Sequence, residues 1–344
     1  MTSAASAPRA PAATAVVDNI DSMALPSNSH ITQKDHLPQR HSVDKFGFLF
    51  GYPISHSFSP LFHRTIYQSL GLNWDCFFLE SPDVENVLPY LHEPTFLGGA
   101  VTMPHKVSII PHLDELTPEA DAVGACNTIF LQKDSAGKRR LIGTNTDIIG
   151  VKESFLQNIS ESDRRHVYEG RPAMVIGGGG AARASLYAIV EHLKCETVYL
   201  VNRDKNEVDV LLQWCKQKGF GDGMVHVETL EQAEKMESVG AIVACVPDIP
   251  PQTREEKTAR AILEHFLARE HKGAILEMAY HPKPWTTLAA LADKQGWKVL
   301  LGTEAMIYQG LAQDQLWTGK SLDELPVSTV KKVIADELAK SIKH

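Results

Sequence analysis

The sequence contains no unbroken apolar stretch near the ~20 residues that a bilayer-spanning helix needs, so no membrane span is expected. Cysteine is scarce. The five are Cys76, Cys126, Cys195, Cys215 and Cys245, an odd number with no C-x-x-C spacing. That pattern supports neither a disulfide framework nor a zinc site, and no other metal centre is expected. It predicts reduced, mostly buried thiols in a cytoplasmic protein. Basic residues are not in excess: 34 Lys and Arg stand against 42 Asp and Glu, a formal net charge of -8. The clustered positive charge that holds nucleic-acid phosphates is therefore missing. A small anionic ligand stays possible, because a few local donors suffice for one carboxylate. Residues 1–42 are rich in Ala, Ser, Pro, Thr and Asn and lack the apolar core of a secretory signal. They are expected to form a disordered tail, having too little apolar surface to offset ordering entropy. There is no signal for a particular oligomeric state.

What is present suits a globular protein with a sizeable core. Hydrophobic residues make up 43% and charged residues 22% of the 344 positions. That length suggests about two domains, at roughly 100–200 residues each. Order is expected from Phe46, where FGFLFG reads as a buried strand running into a Gly/Pro turn. Leu61–Leu70 and Pro111–Val123 read as helices. FLGGAV, closed by Pro104, reads as a second strand. ACNTIFLQ and RRLIGTNTD read as two more strands joined by a hairpin at Asp134-Ser135-Ala136-Gly137. After Asp147, strands are predicted at Met174–Ile176, in ETVYLVNR, at Ala241–Val246, at Ala274–Met278 and at Lys298–Leu300. A helix is predicted at Ala182–Leu193. Glu304–Gln315 and Ser328–Ile342 carry helical patterns. The fold class is α/β with two domains: an α/β substrate domain and a doubly wound, Rossmann-type dinucleotide-binding domain.

Gly177, Gly179 and Ala182 fit G-x-G-x-x-A, after a strand and opening a helix. The first glycine permits a tight turn and the second lets backbone approach a pyrophosphate. The small third residue lets helix and strand pack closely. Free N–H groups and the helix dipole favour the phosphates, so Gly177, Gly179, Gly180, Ala181 and Ala182 are candidate cofactor contacts. The next strand ends in Asn202-Arg203-Asp204. A carboxylate at Asp204 suits the ribose hydroxyls of NAD and repels the 2′-phosphate of NADP. Arg203 points the other way, since a guanidinium pairs with that phosphate or stacks on adenine.

Polar residues gather where apolar strands end: Ser57 and Ser59 in PISHSFSP, Lys106 in VTMPHK, Asn127 in GACNT, and Asp147 in GTNTD. Each has an ordinary structural use, as a helix cap, a solvated charge or a turn former. Beside a dinucleotide turn, together they read as a site. Hydride transfer from an alcohol carbon requires a proton to leave the oxygen, and Lys106 with Asp147 form a suitable pair. The carboxylate keeps Lys106 charged as a donor to the reacting oxygen. Which of the two accepts the proton stays open.

With these motifs in order, the chain resembles the shikimate/quinate dehydrogenases from about Phe46 to Leu325. The resemblance implies that Ser57 and Ser59 hold the substrate carboxylate and that Lys106 and Asp147 are catalytic. It implies further substrate contacts from Thr102, Asn127, Tyr280 in EMAYHPKPW and Gln309 in MIYQGLAQDQLWTG. Ala100 stands where the family commonly has asparagine, and Arg64 where asparagine is usual. Asp204 replaces the threonine of N-R-T common in NADP-using members. The implied activity is oxidation of quinate to 3-dehydroquinate with NAD. The alternatives are NADP-dependent shikimate oxidation in aromatic biosynthesis and a non-catalytic, ligand-sensing regulator. The implied domains are 43–149, completed by 303–344, for substrate, and 150–302 for the cofactor.

Overall fold

A computed structural model describes residues 43–281 and 283–341; the expectation for residues 1–42 lies outside them. The chain opens with β1 (Lys45–Gly51), α1 (Ser59–Ser69), β2 (Trp74–Glu80), α2 (Leu88–Leu91) and β3 (Phe96–Val101). It continues through β4 (Glu115–Leu116), α3 (Pro118–Val123), β5 (Thr128–Lys133) and β6 (Arg139–Thr144). Then come α4 (Asp147–Asn158), α5 (Glu161–Val167), β7 (Ala173–Ile176), α6 (Gly180–His192), β8 (Val198–Val201) and α7 (Lys205–Gln217). They are followed by β9 (Met224–His226), α8 (Leu230–Ala233), β10 (Ala241–Ala244), α9 (Arg254–Ala268) and β11 (Ala274–Glu277). Last are α10 (Thr287–Lys294), β12 (Lys298–Leu301), α11 (Gly302–Thr318) and α12 (Val327–Ser341).

The first sheet has six strands in the order β2-β1-β3-β5-β6-β4. KFGFLFG is apolar on both sides because β1 is flanked by parallel β2 and β3 and covered on both faces. The hairpin of β5 and β6 then pairs antiparallel to the edge of β3. The second sheet is parallel throughout, in the order β12-β11-β10-β7-β8-β9. This is the doubly wound order. Its direction reverses at β7, so the crevice beyond the carboxyl ends of β7 and β10 is the topological switch point.

Three departures from the sequence reading have physical causes. Pro111–Val123 is not one helix. Ile110–His112 makes a 3-10 turn, then β4 pairs parallel with β6, and only Pro118–Val123 is helical. The backbone of Asp114 donates to Leu141 O at 2.9 Å and that of Thr117 to Gly143 O at 2.9 Å. A neighbouring strand thus takes groups that a local helix would have used. β2 and β9 are strands the pattern did not single out. Helix α1 begins two residues before Leu61, with Pro60 in its first turn.

Helix α11 lies over the first sheet and is buried nearly all round. Trp317 Nε1 donates to Ile129 O at 3.0 Å, and His63 Nδ1 lies 2.8 Å from Asp314 Oδ2, both side chains fully buried. That pair ties α1 to α11. Helix α4 packs against both α11 and α6, and so belongs to both halves. The boundary expected at 149/150 falls inside it. Among the described residues no helix is long and apolar enough to cross a membrane.

Candidate active site

Lys106 follows β3 on a loop pinned from two sides. His105 is buried, its Nε2 bonds Ser81 O at 2.8 Å, and its ring stacks on Phe50 with centroids 4.2 Å apart. Lys106 O accepts from Cys126 N at 2.7 Å. The loop thereby aims Lys106 Nζ at Asp147, and the ammonium donates to Oδ2. Asp147 stands in the first turn of α4, where the helix dipole favours a negative charge. Its backbone N–H donates to Asn145 Oδ1 at 3.1 Å, and Asn145 Nδ2 donates to Ala125 O at 2.8 Å. Asn127 Nδ2 donates to Asp147 Oδ1 at 2.9 Å and lies 3.3 Å from Gln309 Oε1. Asn127 Oδ1 accepts from Thr146 N at 2.7 Å. The Lys106–Asp147 pair is therefore held by Asn127, just before β5, and Asn145, just before α4, with Gln309 of α11 beside Asn127.

Ser57 and Ser59 sit at the N-terminus of α1. Ser57 Oγ accepts from Ser59 N at 3.2 Å, and the Tyr280 side chain stands close to it. Burial pushes the Tyr280 phenol up, and the nearby Ser57 side chain opposes this. Ser59 Oγ is buried with no partner. Helix α1 has no side-chain cap and no acidic residue in its first turn. An orphaned hydroxyl at an uncapped helix N-terminus is suited to a carboxylate. Ser57, Ser59, Thr102, Lys106, Asn127, Asp147, Tyr280 and Gln309 all line one cavity of about 310 Å³. Gln313 lines it too and was not expected. Its Nε2 donates to Thr128 Oγ1 at 2.9 Å, while its Oε1 is buried without a partner. The spacing of four from Gln309 puts both on one helix face, a signal the sequence did carry. Ala100 and Met306 supply apolar wall.

The glycine turn leaves β7 at Ile176 and enters α6 at Gly180. Gly177 has φ +117°, a conformation that strains other residues. A Cβ on Gly178 would lie 2.7 Å from both Asn202 Nδ2 and Glu207 Oε2, so a larger residue here would have to displace the ends of those two side chains. A Cβ on Gly179 would meet nothing within 4 Å, which means open space faces the turn. Gly179 is the N-cap of α6 and provides no side-chain cap, so the first-turn N–H groups are free for an anion. Ala182 is fully buried and packs inward. These features fit the pyrophosphate of a dinucleotide. A Cβ on Gly180 would lie 3.3 Å from Lys106 Cδ, so the turn and the acid/base pair are neighbours.

At the end of β8, Asn202 Nδ2 donates to Glu207 Oε2 at 2.7 Å and Asn202 Oδ1 accepts from Arg203 N at 2.8 Å. Asp204 is the N-cap of α7. Its Oδ1 accepts from Asn206 N at 2.8 Å and Glu207 N at 3.4 Å. Arg203 is paired with Glu256, a partner the sequence did not suggest.

Residues 49–129 match the family model for the shikimate dehydrogenase substrate binding domain. The chain is 42% identical over 318 residues to the quinate dehydrogenase of Emericella nidulans, covering 87% of this chain and 96% of that protein. The dehydroquinate dehydratase and shikimate dehydrogenase from S. pombe AroM has a similar structure, with TM-score 0.67 and 31% identity. The match covers 84% of this chain and 53% of that one, so the chain spans about half its length. The quinate dehydrogenase from Corynebacterium glutamicum in complex with NAD shares the fold, with TM-score 0.68 at 22% identity over 85% of this chain and 99% of that one.

Proposed function

The chain belongs to the shikimate/quinate dehydrogenase family, and from that premise we propose that it is an NAD-dependent quinate dehydrogenase oxidising quinate to 3-dehydroquinate. The observation that carries the reading is the meeting of the Lys106–Asp147 pair and an orphaned Ser59 hydroxyl on one cavity, with the glycine turn beside Lys106. Residues 43–149 with 303–341 hold the substrate, and residues 150–302 hold the cofactor. The N–H groups of the Gly177–Gly180 turn receive the pyrophosphate, and Asn202, Arg203 and Asp204 face the adenosine ribose. When bound, the nicotinamide supplies a hydride acceptor.

The chain's own part is positional and electrostatic. Ser57, Ser59 and the start of α1 fix the carboxylate. Thr102, Asn127, Tyr280 and Gln309 hold the ring hydroxyls. Lys106, paired with Asp147, bonds the oxygen of the reacting alcohol and favours the form that loses its proton. Asn127 keeps Asp147 in place as the proton moves through the pair. A cytoplasmic site of action goes with this reading. All five cysteines are free, and burial pushes Cys126, Cys195 and Cys245 up to about 12, where they are protonated and unreactive.

The test is a two-by-two assay of quinate and shikimate, each with NAD and with NADP. The highest kcat/KM is expected for quinate with NAD. Shikimate with NADP as the best pair would move the protein to the biosynthetic activity, and no turnover with any pair would remove the enzymatic reading.

A further inference from the structure

A second cavity, of about 420 Å³, lies where Asn202 and Arg203 leave β8, with further walls from Glu228, Thr229 and Arg254. It holds cations suited to a phosphate, yet two of the three are already bound to carboxylates. Lys205 Nζ donates to Glu228 Oε1 at 2.8 Å and lies 3.6 Å from Asp209. Arg203 Nη1 donates to Glu256 Oε1 at 2.5 Å. Glu256 is not a loose partner. Its Oε2 accepts from Gln252 N at 2.7 Å and Thr253 N at 3.1 Å, closing the capping box of α9. Those backbone bonds, with Arg203, hold its carboxyl down at about 2, so it is an anion at any working pH. Asp204 is fixed too, through its cap of α7.

We propose that Glu256 is a specificity-determining residue for the cofactor: by pairing with Arg203 from the first turn of α9 it withholds that guanidinium from a 2′-phosphate and disfavours NADP. This rests on the dinucleotide reading of the glycine turn. For Arg203 to serve a 2′-phosphate it must leave a carboxylate that the α9 backbone keeps in place. That carboxylate would then repel the phosphate. Neutral ribose hydroxyls meet no such penalty. It follows that replacing Asp204 alone leaves Arg203 still engaged with Glu256.

The test measures dissociation constants of NAD and NADP by calorimetry on the full chain, without substrate, and kcat/KM beside them. The variants are Glu256→Gln, Asp204→Ser, both together, Arg203→Ala, and Arg203→Ala with Glu256→Gln. Glutamine keeps an acceptor for the α9 capping box, and serine keeps a cap for α7. An exposed ion pair is weak, and a freed arginine–phosphate bond is stronger. Glu256→Gln should therefore tighten NADP about 3- to 10-fold, and much more than it changes NAD. The double variant should exceed Asp204→Ser by a similar factor. Arg203→Ala should abolish the gain from Glu256→Gln. In the otherwise unmodified protein, Arg203→Ala should weaken NADP no more than NAD. That last comparison stands even where a Glu256 variant proves unstable. An unchanged NADP constant in Glu256→Gln, or a gain that survives Arg203→Ala, overturns the proposal and leaves the NAD reading intact. A selective loss of NADP affinity in Arg203→Ala overturns it as well. NADP preference in the unmodified protein overturns both.

Discussion

At the scale of single residues, Lys106 and Ser59 do different work, and kinetics separates them. On the proposed reading Lys106 faces the reacting oxygen, so its effect is confined to the transition state. Lys106→Ala should lower kcat by about 10²–10⁴-fold, the usual worth of a positioned acid or base. The NAD dissociation constant should change little. Retention of more than about a tenth of kcat would remove Lys106 from this role. Ser59 has a buried Oγ without a partner in the free protein. The proposed bond to the substrate carboxylate is the same before and during the reaction, so its loss should appear in KM. A hydrogen bond to a charged group contributes about 1.5–3 kcal/mol, so Ser59→Ala should raise the KM for quinate roughly 10- to 100-fold. A large fall in kcat at unchanged KM would contradict the carboxylate assignment. Ser57 also accepts from Ser59 N, at the start of α1, so its replacement should disturb both parameters.

At the scale of elements, the end of β11 carries a stability effect that depends on pH. Glu277 is buried there, and its Oε1 accepts from Ala279 N at 3.0 Å. Burial pushes its carboxyl from 4.5 up to about 7. Below pH 4.5 both the folded and unfolded chains carry the proton. Between that pH and about 7 only the unfolded chain releases it, so folding loses stability through this window and then levels off. A shift of that size corresponds to roughly 3 kcal/mol. Glu277→Gln keeps the acceptor for Ala279 and cannot ionise. It should flatten the fall between pH 5 and pH 8, as read from urea midpoints. A variant with the wild-type slope would show that Glu277 is not the cause. Elements also mark where local pattern fails. The α3 region was legible as helix because Thr117 caps it and Gly124 ends it at φ +66°. The residues just before it were not, because their pairing with β6 is decided through space.

At the scale of the whole molecule, the Lys106–Asp147 pair comes from the first half and the glycine turn from the second, with Gly180 at their contact. A Cβ there would lie 3.3 Å from Lys106 Cδ, tighter than a normal contact. Gly180→Ala should favour helix α6 slightly, since alanine exceeds glycine by roughly 0.5–1 kcal/mol in helices. It should also displace Lys106, and misplacement by about 1 Å can cost about 10²-fold, so a smaller shift should lower kcat severalfold. The expected outcome is lower kcat with an equal or higher melting temperature. An unchanged kcat would mean that the two halves have slack at this contact. Helix α4 holds their geometry, packing on α11 from one half and on α6 from the other.

The cofactor half was legible in the sequence because its signals are local. Apolar strands, a glycine that alone tolerates φ +117°, and small residues opening a helix are properties of neighbours along the chain. The strand-end residues Ser57, Lys106, Asn127 and Asp147 were legible for the same reason, as polar breaks in apolar runs. Which groups meet was not. Gln309 lies 182 residues from Asn127, Asp314 lies 251 from His63, and Glu256 lies 53 from Arg203. Asp204 read as a ribose acceptor from its place after β8, and the structure adds its use as the cap of α7. A residue's type determines what bonds it can make, and only the packing of elements determines which partner is within reach.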